Sequence, residues 1–171
     1  MKKIVLVGYM GSGKSIIGRI LSKKLNLPFY DLDDLIVKET SKSINEIFKT
    51  HGEVYFRNLE HQVFKQTLLQ NNAFVLSLGG GTTCYANNHE LLKNPTITSI
   101  YLKASITTLV KRLENELHER PLLKAVVTDG LYQYIAPHVF ERSFFYNLCN
   151  FTVSVDDQTP EEIVFEIENL L

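Results

Sequence analysis

Five short apolar runs, rich in β-branched and aromatic residues, recur along the chain. They occupy positions 4–7, 28–32, 74–78, 98–102 and 151–155. The apolar residues in them are largely continuous, whereas a strand with one face in water alternates apolar and polar positions. Longer segments with helical spacing of apolar residues separate the runs. The pattern predicts strands buried on both faces, in a three-layer α/β/α fold with a central, mainly five-stranded parallel sheet.

The segments between the runs carry helix start and stop signals. Ser43 followed by Glu46 is the pattern of a capping box, and Gly52 predicts the end of the helix that the box opens. Helical spacing resumes after Gly52, with a predicted packed face made of Val54, Tyr55, Leu59, Val63 and Leu68. Thr159 followed by Pro160 predicts the start of the last helix.

The composition predicts one globular domain over 1–171. The chain has 171 residues, 44% apolar and 22% charged, and a chain of this length needs neither a disulfide nor a structural metal to hold a core. Eighteen Lys and Arg against nineteen Asp and Glu give a net charge of −1. This balance argues against the global basic field that drives nucleic-acid binding. Any anion must be bound locally.

Location is indicated by what the sequence lacks. There is no long apolar stretch and no signal-peptide pattern, so we expect neither membrane insertion nor export. Cys84 and Cys149 stand apart without metal-ligand spacing, which is typical of a reducing compartment and argues against zinc. The expectation is a cytoplasmic protein in which both cysteines are semi-buried packing residues.

A glycine-rich motif follows the first predicted strand. Residues 8–15 read GYMGSGKS, which matches GxxxxGKS in the order strand, loop, helix. Such a loop points backbone N–H groups at phosphate oxygens, its lysine reaches the β- and γ-phosphates, and its serine hydroxyl binds Mg²⁺ directly. The alternative is a glycine-rich turn with an incidental lysine. The motif predicts nucleotide binding by Gly11, Ser12, Gly13, Lys14, Ser15 and Ile16, with Ser15 as the Mg²⁺ ligand.

The expected nucleotide is ATP, because the sequence has no NKxD segment of the kind that switch GTPases use for GTP. The acid on the Mg²⁺ side is expected at the end of the second strand, where Asp31 and Asp33 should lie beside the phosphate loop. With Leu32 pointing into the core, both carboxylates point away from it. The alternative is a turn or helix-cap role, as for Asp34.

The other candidate site residues also have ordinary structural explanations. Gly79, Gly80 and Gly81 allow close approach of a ligand or of another segment. Arg57 and Glu60 have the i, i+3 spacing of an ordinary surface ion pair. Arg142 could pair with Glu141, and an arginine before proline at 120 could be a solvated loop residue. From the residues alone, the acceptor is a small, anionic, hydroxylated molecule. The aromatic run 144–146 is expected to pack in the core.

In its motifs the sequence resembles the shikimate kinases, small members of the nucleoside-monophosphate-kinase-like group of P-loop proteins. The matching motifs run in order along nearly the whole chain: GYMGSGKS at 8–15, FYDLD at 29–33, SINEIF and GEVYFRNLE within 43–60, SLGGGT at 77–82, ERPLL at 119–123, ERSFFY at 141–146 and VDDQTP at 155–160. The sequence departs from the family pattern in two places. Ile16 stands where Thr or Ser is usual, and Phe144 and Phe145 replace Pro-Leu before Tyr146.

The resemblance implies Mg²⁺-dependent transfer of the ATP γ-phosphoryl group to the 3-hydroxyl of shikimate, on the chorismate route to aromatic amino acids. It implies that Asp33 holds shikimate hydroxyls and orients or deprotonates the attacking one. Arg57 and Arg142 would bind the shikimate carboxylate. Gly80, with Gly79 and Gly81 beside it, would contact shikimate. The supporting roles implied are Glu60 orienting Arg57 and Asp31 holding Mg²⁺ through a water.

The resemblance also implies a helical substrate-binding segment at about 33–62 and a mobile lid at about 112–125. Arg120 would come from the lid to the phosphates, while Arg112, Gln158 and Pro160 would surround the adenine. The protein is expected to be a monomer whose partners are ATP and shikimate. Two other functions stay open: a gluconate-type sugar-acid kinase, and an ATP-binding regulatory module that has lost catalysis.

Overall fold

The computed structural model describes residues 3–116 and 130–171. Its centre is a five-stranded sheet in the order β2-β3-β1-β4-β5, and every pairing is parallel. The strands are β1 (Lys3–Val7), β2 (Phe29–Asp31), β3 (Phe74–Ser77), β4 (Ile97–Lys103) and β5 (Phe151–Ser154). The five predicted strands and the parallel α/β fold are therefore confirmed.

Continuous apolar runs are explained by burial on both faces of the central strands. Residues 4–7 of β1 and all of β3 are buried. Seven α-helices within the described ranges flank the sheet: α1 (Lys14–Leu25), α2 (Leu32–Thr40), α3 (Ile44–Leu68), α4 (Asn88–Leu91), α5 (Ile106–Glu116), α6 (Leu131–Tyr146) and α7 (Pro160–Leu170). Helix α1 packs against α7, α2 against α3, and α5 against α6. No described helix is both long and apolar enough to cross a membrane.

The strand order brings three strand ends together. β1 pairs with β3 on one side and with β4 on the other, so it is the central strand. The loop that follows β1 therefore lies at the middle of the sheet edge. In the register of the sheet, Ser77 is the partner of both Leu6 and Asp31. The carboxyl ends of β1, β2 and β3 therefore share one edge, which is where open α/β sheets bind ligands.

Helix α3 contains the predicted break, and the face it buries beyond the break agrees with the prediction at Leu59, Val63 and Leu68 but not at Val54 and Tyr55. Ser43 and Glu46 form the capping box that starts it, and Gly52 interrupts it with φ 78° and ψ 178°. Val54 and Tyr55, predicted on the packed face, are 78% and 46% exposed. The buried side chains beyond Gly52 are Phe56, Glu60, Val63, Phe64 and Thr67. Val54 lies about 200° around the helix from Phe56, so it points to the opposite side.

The last helix begins as predicted. Thr159 caps α7, and its side chain and that of Glu162 form a second capping box. After β5, Asp156 accepts hydrogen bonds from the backbone N–H of Ser105, so this carboxylate shapes the loop between β5 and α7. These contacts fix the end of the chain that borders the candidate site.

Replacing Gly52 with alanine should lower the free energy of unfolding by about 1–3 kcal/mol, because only glycine adopts this φ and ψ without strain. No atom lies within 4 Å of a Cβ at this position, so the loss would come from the backbone and not from crowding. Urea unfolding followed by circular dichroism measures it.

The matched control is Gln62→Ala, at an exposed, regular position of the same helix. Alanine favours helices, so this control should be neutral or slightly stabilising. A Gly52→Ala protein as stable as the control would contradict the strain at Gly52.

Candidate active site

The loop between β1 and α1 has the geometry of an anion-binding site. Gly11 and Gly13 adopt positive φ values of 80° and 93°, which turn the chain into the start of α1. The backbone N–H of Ile17 donates to the Gly13 carbonyl at 2.9 Å. The N–H groups of the first helical turn that precede it have no intrahelical acceptor, so the helix presents donors and the positive end of its dipole here.

Lys14 is held against this loop. It is buried, and its Nζ donates to the carbonyl oxygens of Gly8 and Tyr9 at 2.8 and 2.9 Å. The Ser12 side chain is fully buried behind Gly8. Its backbone N–H donates to the Tyr9 carbonyl at 3.2 Å.

Ser15 and Asp31 form a direct contact across the strand ends. The Ser15 hydroxyl donates to Oδ2 of Asp31 at 2.7 Å. Asp31 also caps α2, because its Oδ1 accepts from the Asp33 backbone N–H at 3.1 Å. The two interpretations of Asp31, helix cap and functional carboxylate, are therefore compatible. A hydroxyl and a carboxylate oxygen at the phosphate loop are the hard ligands that Mg²⁺ prefers.

Asp33 lies at the open side of the same edge. Its side chain is exposed to the cleft, yet its carboxyl group is partly buried by the surrounding protein. This burial, together with the negative charges of Asp31 and Glu60, raises the pKa of Asp33 to about 6, while Lys14 opposes the shift. A carboxylate with such a pKa is ionised at neutral pH and close to the range in which it can exchange a proton.

Arg57 and Glu60 form a buried ion pair and not the surface pair that their spacing suggests. Arg57 Nη1 lies 2.8 Å from Glu60 Oε2, and the Glu60 side chain is only 1% exposed. The other Glu60 oxygen accepts from the Thr82 hydroxyl at 2.6 Å. Sequence reasoning did not single out Thr82. The signal in the sequence that could have identified Thr82 is its place at the end of the SLGGGT motif.

The three glycines are where these groups meet. A Cβ on Gly79 would lie 3.0 Å from the Thr82 hydroxyl and 3.1 Å from Glu60, and a Cβ on Gly81 would lie 2.8 Å from Arg57 Nη2. A Cβ on Gly80 would lie 3.2 Å from the Met10 backbone nitrogen. The triplet therefore lets α3 and the phosphate loop approach one backbone segment.

Arg142 projects from α6 toward the same segment. Its guanidinium lies 5.5 Å from the centre of the Tyr9 ring and interacts with the Tyr146 hydroxyl one helical turn away. Tyr146 in turn donates to the Gly80 carbonyl. Of the aromatic run, Tyr146 is fully buried, whereas Phe144 is exposed, so the expectation of core packing is wrong for Phe144.

Arg57 and Arg142 are near each other. Burial raises the pKa of the Cys84 thiol, and the positive charges of both arginines act against this shift. Both guanidinium groups therefore lie close to Cys84. Arginine binds carboxylates with two parallel hydrogen bonds, so such a pair is suited to an anionic acceptor.

A cleft of about 680 Å³ joins the loop to the strand ends. At one end it is lined by Arg112, Asn115, Gln158, Pro160 and Ile163, and at the other by Asp31, Asp33, Gly79 and Gly80. Arg112 bridges the two walls of the first end, donating to the carbonyls of Gly11 and Val155 at 3.2 Å each. Asn115 and Ile163 were not predicted.

Some predicted residues do not line this cleft. Arg57, Gly81 and Arg142 lie beside it and are connected to it through Glu60 and Gly80. Arg120 and most of the predicted lid fall outside the described residues. Apart from Ser12, the predicted nucleotide residues that the structure describes line one cleft together with Asp33, and the two arginines lie next to its acidic end.

The comparisons with known proteins agree with this geometry. A family model described as shikimate kinase matches residues 10–171. A shikimate kinase of Flavobacterium psychrophilum is 53% identical over 171 residues, which is 100% of this chain and 99% of that protein.

Two solved structures are similar over nearly their full lengths. A shikimate kinase from Bacteroides thetaiotaomicron has a TM-score of 0.90 at 32% identity, covering 99% of this chain and 97% of that one. A shikimate kinase from Acinetobacter baumannii, in complex with shikimate, has a TM-score of 0.88 at 29% identity, covering 99% and 92%.

The first test of the site is the titration of Asp33. We expect a pKa of about 6, from carboxyl ¹³C NMR of protein labelled at aspartate. The Asp33→Asn spectrum identifies the signal. Asp31→Asn should lower the Asp33 pKa because a neighbouring negative charge is removed, and Lys14→Met should raise it because a positive charge is removed.

Asp157→Asn is the control and should leave the Asp33 pKa unchanged, because Asp157 is not among the groups that shift it. An Asp33 pKa near the ordinary aspartate value in the wild-type protein would show that the carboxyl group is not embedded as described.

Proposed function

The chain belongs to the shikimate kinase family, and we propose that its cleft transfers the γ-phosphoryl group of ATP to the 3-hydroxyl of shikimate. The observation that carries the proposal is the arrangement of three charged groups around the glycine triplet. Lys14 lies on the phosphate side, Asp33 lies between, and the Glu60-bound Arg57 lies on the other side. This order matches a phosphate donor, an attacking hydroxyl and an acceptor carboxylate.

At the donor end, we assign the phosphates to the loop. Backbone N–H groups of residues 11–16 would hold the phosphate oxygens, and Lys14 would exchange its carbonyl partners for β- and γ-phosphate oxygens. Arg112, Gln158 and Pro160 would border the adenine, because they line the far end of the cleft. The role of Arg120 at the phosphates remains a proposal from the family resemblance.

Mg²⁺ fits the residues between the two ends. Ser15 would bind it directly and Asp31 through a water, and the 2.7 Å contact between their oxygens supports a shared site. Mg²⁺ keeps several waters and takes substrate phosphates as ligands, so a site with few protein ligands suits it. When bound, Mg²⁺ neutralises charge on the β- and γ-phosphates.

At the acceptor end, Arg57 and Arg142 would bind the shikimate carboxylate while the glycine triplet contacts the ring. Asp33 would orient the 3-hydroxyl and accept its proton as that oxygen bonds to the γ-phosphorus and the bond to the ADP oxygen breaks. As the pH falls through about 6, the raised pKa of Asp33, the fraction of Asp33 that is ionised and can accept a proton decreases. The catalytic residues in this proposal are Lys14, Asp33 and Arg120.

The two other functions are not favoured. A gluconate-type kinase shares the phosphate loop and also takes a carboxylate acceptor, but the family match supports shikimate as the acceptor. A regulatory module without catalysis would not need Lys14, Ser15, Asp31 and Asp33 gathered on one cleft. We also propose a cytoplasmic protein, supported by free Cys84 and Cys149, and a monomer, on the size of the chain and the family resemblance.

Release of ADP by the purified protein tests the proposed function. With ATP and Mg²⁺, release should depend on shikimate, should not occur with gluconate, and should stop when Mg²⁺ is chelated. Lys14→Ala should lower kcat/KM by about 100-fold or more, because a donor to the transferring group is lost. Lys65→Ala, an exposed lysine on α3, is the matched control. Release with gluconate alone would overturn the acceptor.

Substitution of Arg57 tests the carboxylate site. Arg57→Lys keeps a positive charge beside Glu60 but cannot form two parallel hydrogen bonds with a carboxylate. The KM for shikimate should rise at least about 30-fold in Arg57→Ala and less in Arg57→Lys, with little change in the KM for ATP. Arg19→Ala, an exposed arginine stacked on Phe29, serves as control. Unchanged shikimate binding in both Arg57 variants would exclude the assignment.

A further inference from the structure

Tyr85 covers the face of the Arg57 guanidinium. It follows the short 3₁₀ helix Thr82–Cys84, and its ring centre lies 4.1 Å from Arg57 Cζ. The Phe56 ring is further away, at 5.1 Å. Tyr85 is 38% exposed, so this ring stands at the rim of the site and not in the core.

The other contacts of Arg57 leave one motion to be restrained. Glu60 holds Nη1 at 2.8 Å, and Nη2 lies beside Gly81, where an added Cβ would be 2.8 Å from it. Glu53 reaches Nε only at 3.5 Å and is itself half-exposed. These groups hold the edges of the guanidinium. A planar group held at its edges can still tilt, and a stacked ring restrains tilting.

We propose that Tyr85 is a positioning residue for acceptor binding, which fixes the plane of the Arg57 guanidinium so that two of its N–H groups meet the acceptor carboxylate together. The inference rests on the proposed function, because that function gives Arg57 its carboxylate. The attraction of a guanidinium to an aromatic face supplies the restraint. The hydroxyl of Tyr85 has no part in it.

Nothing in the sequence motifs pointed to this residue. Tyr85 is separated from Arg57 by 28 positions in the chain and lies beyond the glycine triplet. The 3₁₀ helix that follows the triplet brings it over Arg57. The same 3₁₀ helix starts with Thr82, which donates to Glu60, the partner of Arg57. One short segment therefore both binds Glu60 and places Tyr85 over the Arg57 guanidinium.

Two substitutions separate the ring from the hydroxyl. Tyr85→Leu keeps an apolar cover but removes the aromatic face, and Tyr85→Phe keeps the face. In Tyr85→Leu the KM for shikimate should rise by about fivefold to 30-fold, the range of such contacts at largely buried sites. Its kcat and its KM for ATP should stay within about twofold. Tyr85→Phe should restore the wild-type KM.

Tyr55→Leu is the matched control, because Tyr55 is a similarly exposed tyrosine that stacks on His51 and not on Arg57. Its KM for shikimate should be that of the wild type. Thermal unfolding of all variants shows whether any change in KM follows from lost stability, which would move kcat as well.

A second measurement does not need activity. The Nε–Hε signal of Arg57 should be shifted by the ring current in the wild type and in Tyr85→Phe, and should lose that shift in Tyr85→Leu. An unchanged KM for shikimate in Tyr85→Leu, or a Tyr85→Phe protein as impaired as Tyr85→Leu, would overturn the inference. A wild-type protein without shikimate-dependent ADP release would instead overturn the proposed function, and the loss or retention of the Arg57 shift would still decide whether the ring orients Arg57.

Discussion

The buried carboxylate of Glu60 is the constraint on which the rest of the site depends. A charge with so little access to water must be met by protein groups, or folding would leave it unpaired at a cost of several kcal/mol. Arg57 supplies the opposite charge and Thr82 a hydrogen bond. Both reach Glu60 because the glycine triplet has no side chains in the way. Helix α3 is thereby fixed to the segment after β3.

The same charge acts on Asp33, the proton acceptor of the proposed reaction. Glu60 is one of the carboxylates that raise the pKa of Asp33, after burial and Asp31. The ion pair that holds Arg57 therefore also adjusts the basicity of the nearby acid. Tyr146 makes a comparable connection on the other side, where it joins Arg142 to the Gly80 carbonyl. The acceptor site is in this way built around one backbone segment from two helices.

The sequence predicts local geometry well and distant packing poorly. The phosphate loop is contiguous, so its conformation follows from its own glycines, and Asp31 follows from the rule for strand ends. The burial of Arg57 and Glu60 depends on Thr82 and the triplet, which their i, i+3 spacing does not reveal. The exposure of Val54 and Tyr55 depends on the helical face that α3 presents beyond Gly52. Tyr146 and Tyr85 act through contacts formed only in the folded chain.

The interruption at Gly52 makes the two parts of α3 modular. In an unbroken helix, one inserted residue would rotate everything beyond it by about 100° and carry Arg57 away from the triplet. Here the first part is located by its capping box and by the buried side chain of Ile47, while Arg57 and Glu60 are located by Thr82 and Gly81. Changes of length before Gly52 can thus be absorbed at the break, and the helical phase of the arginine is preserved.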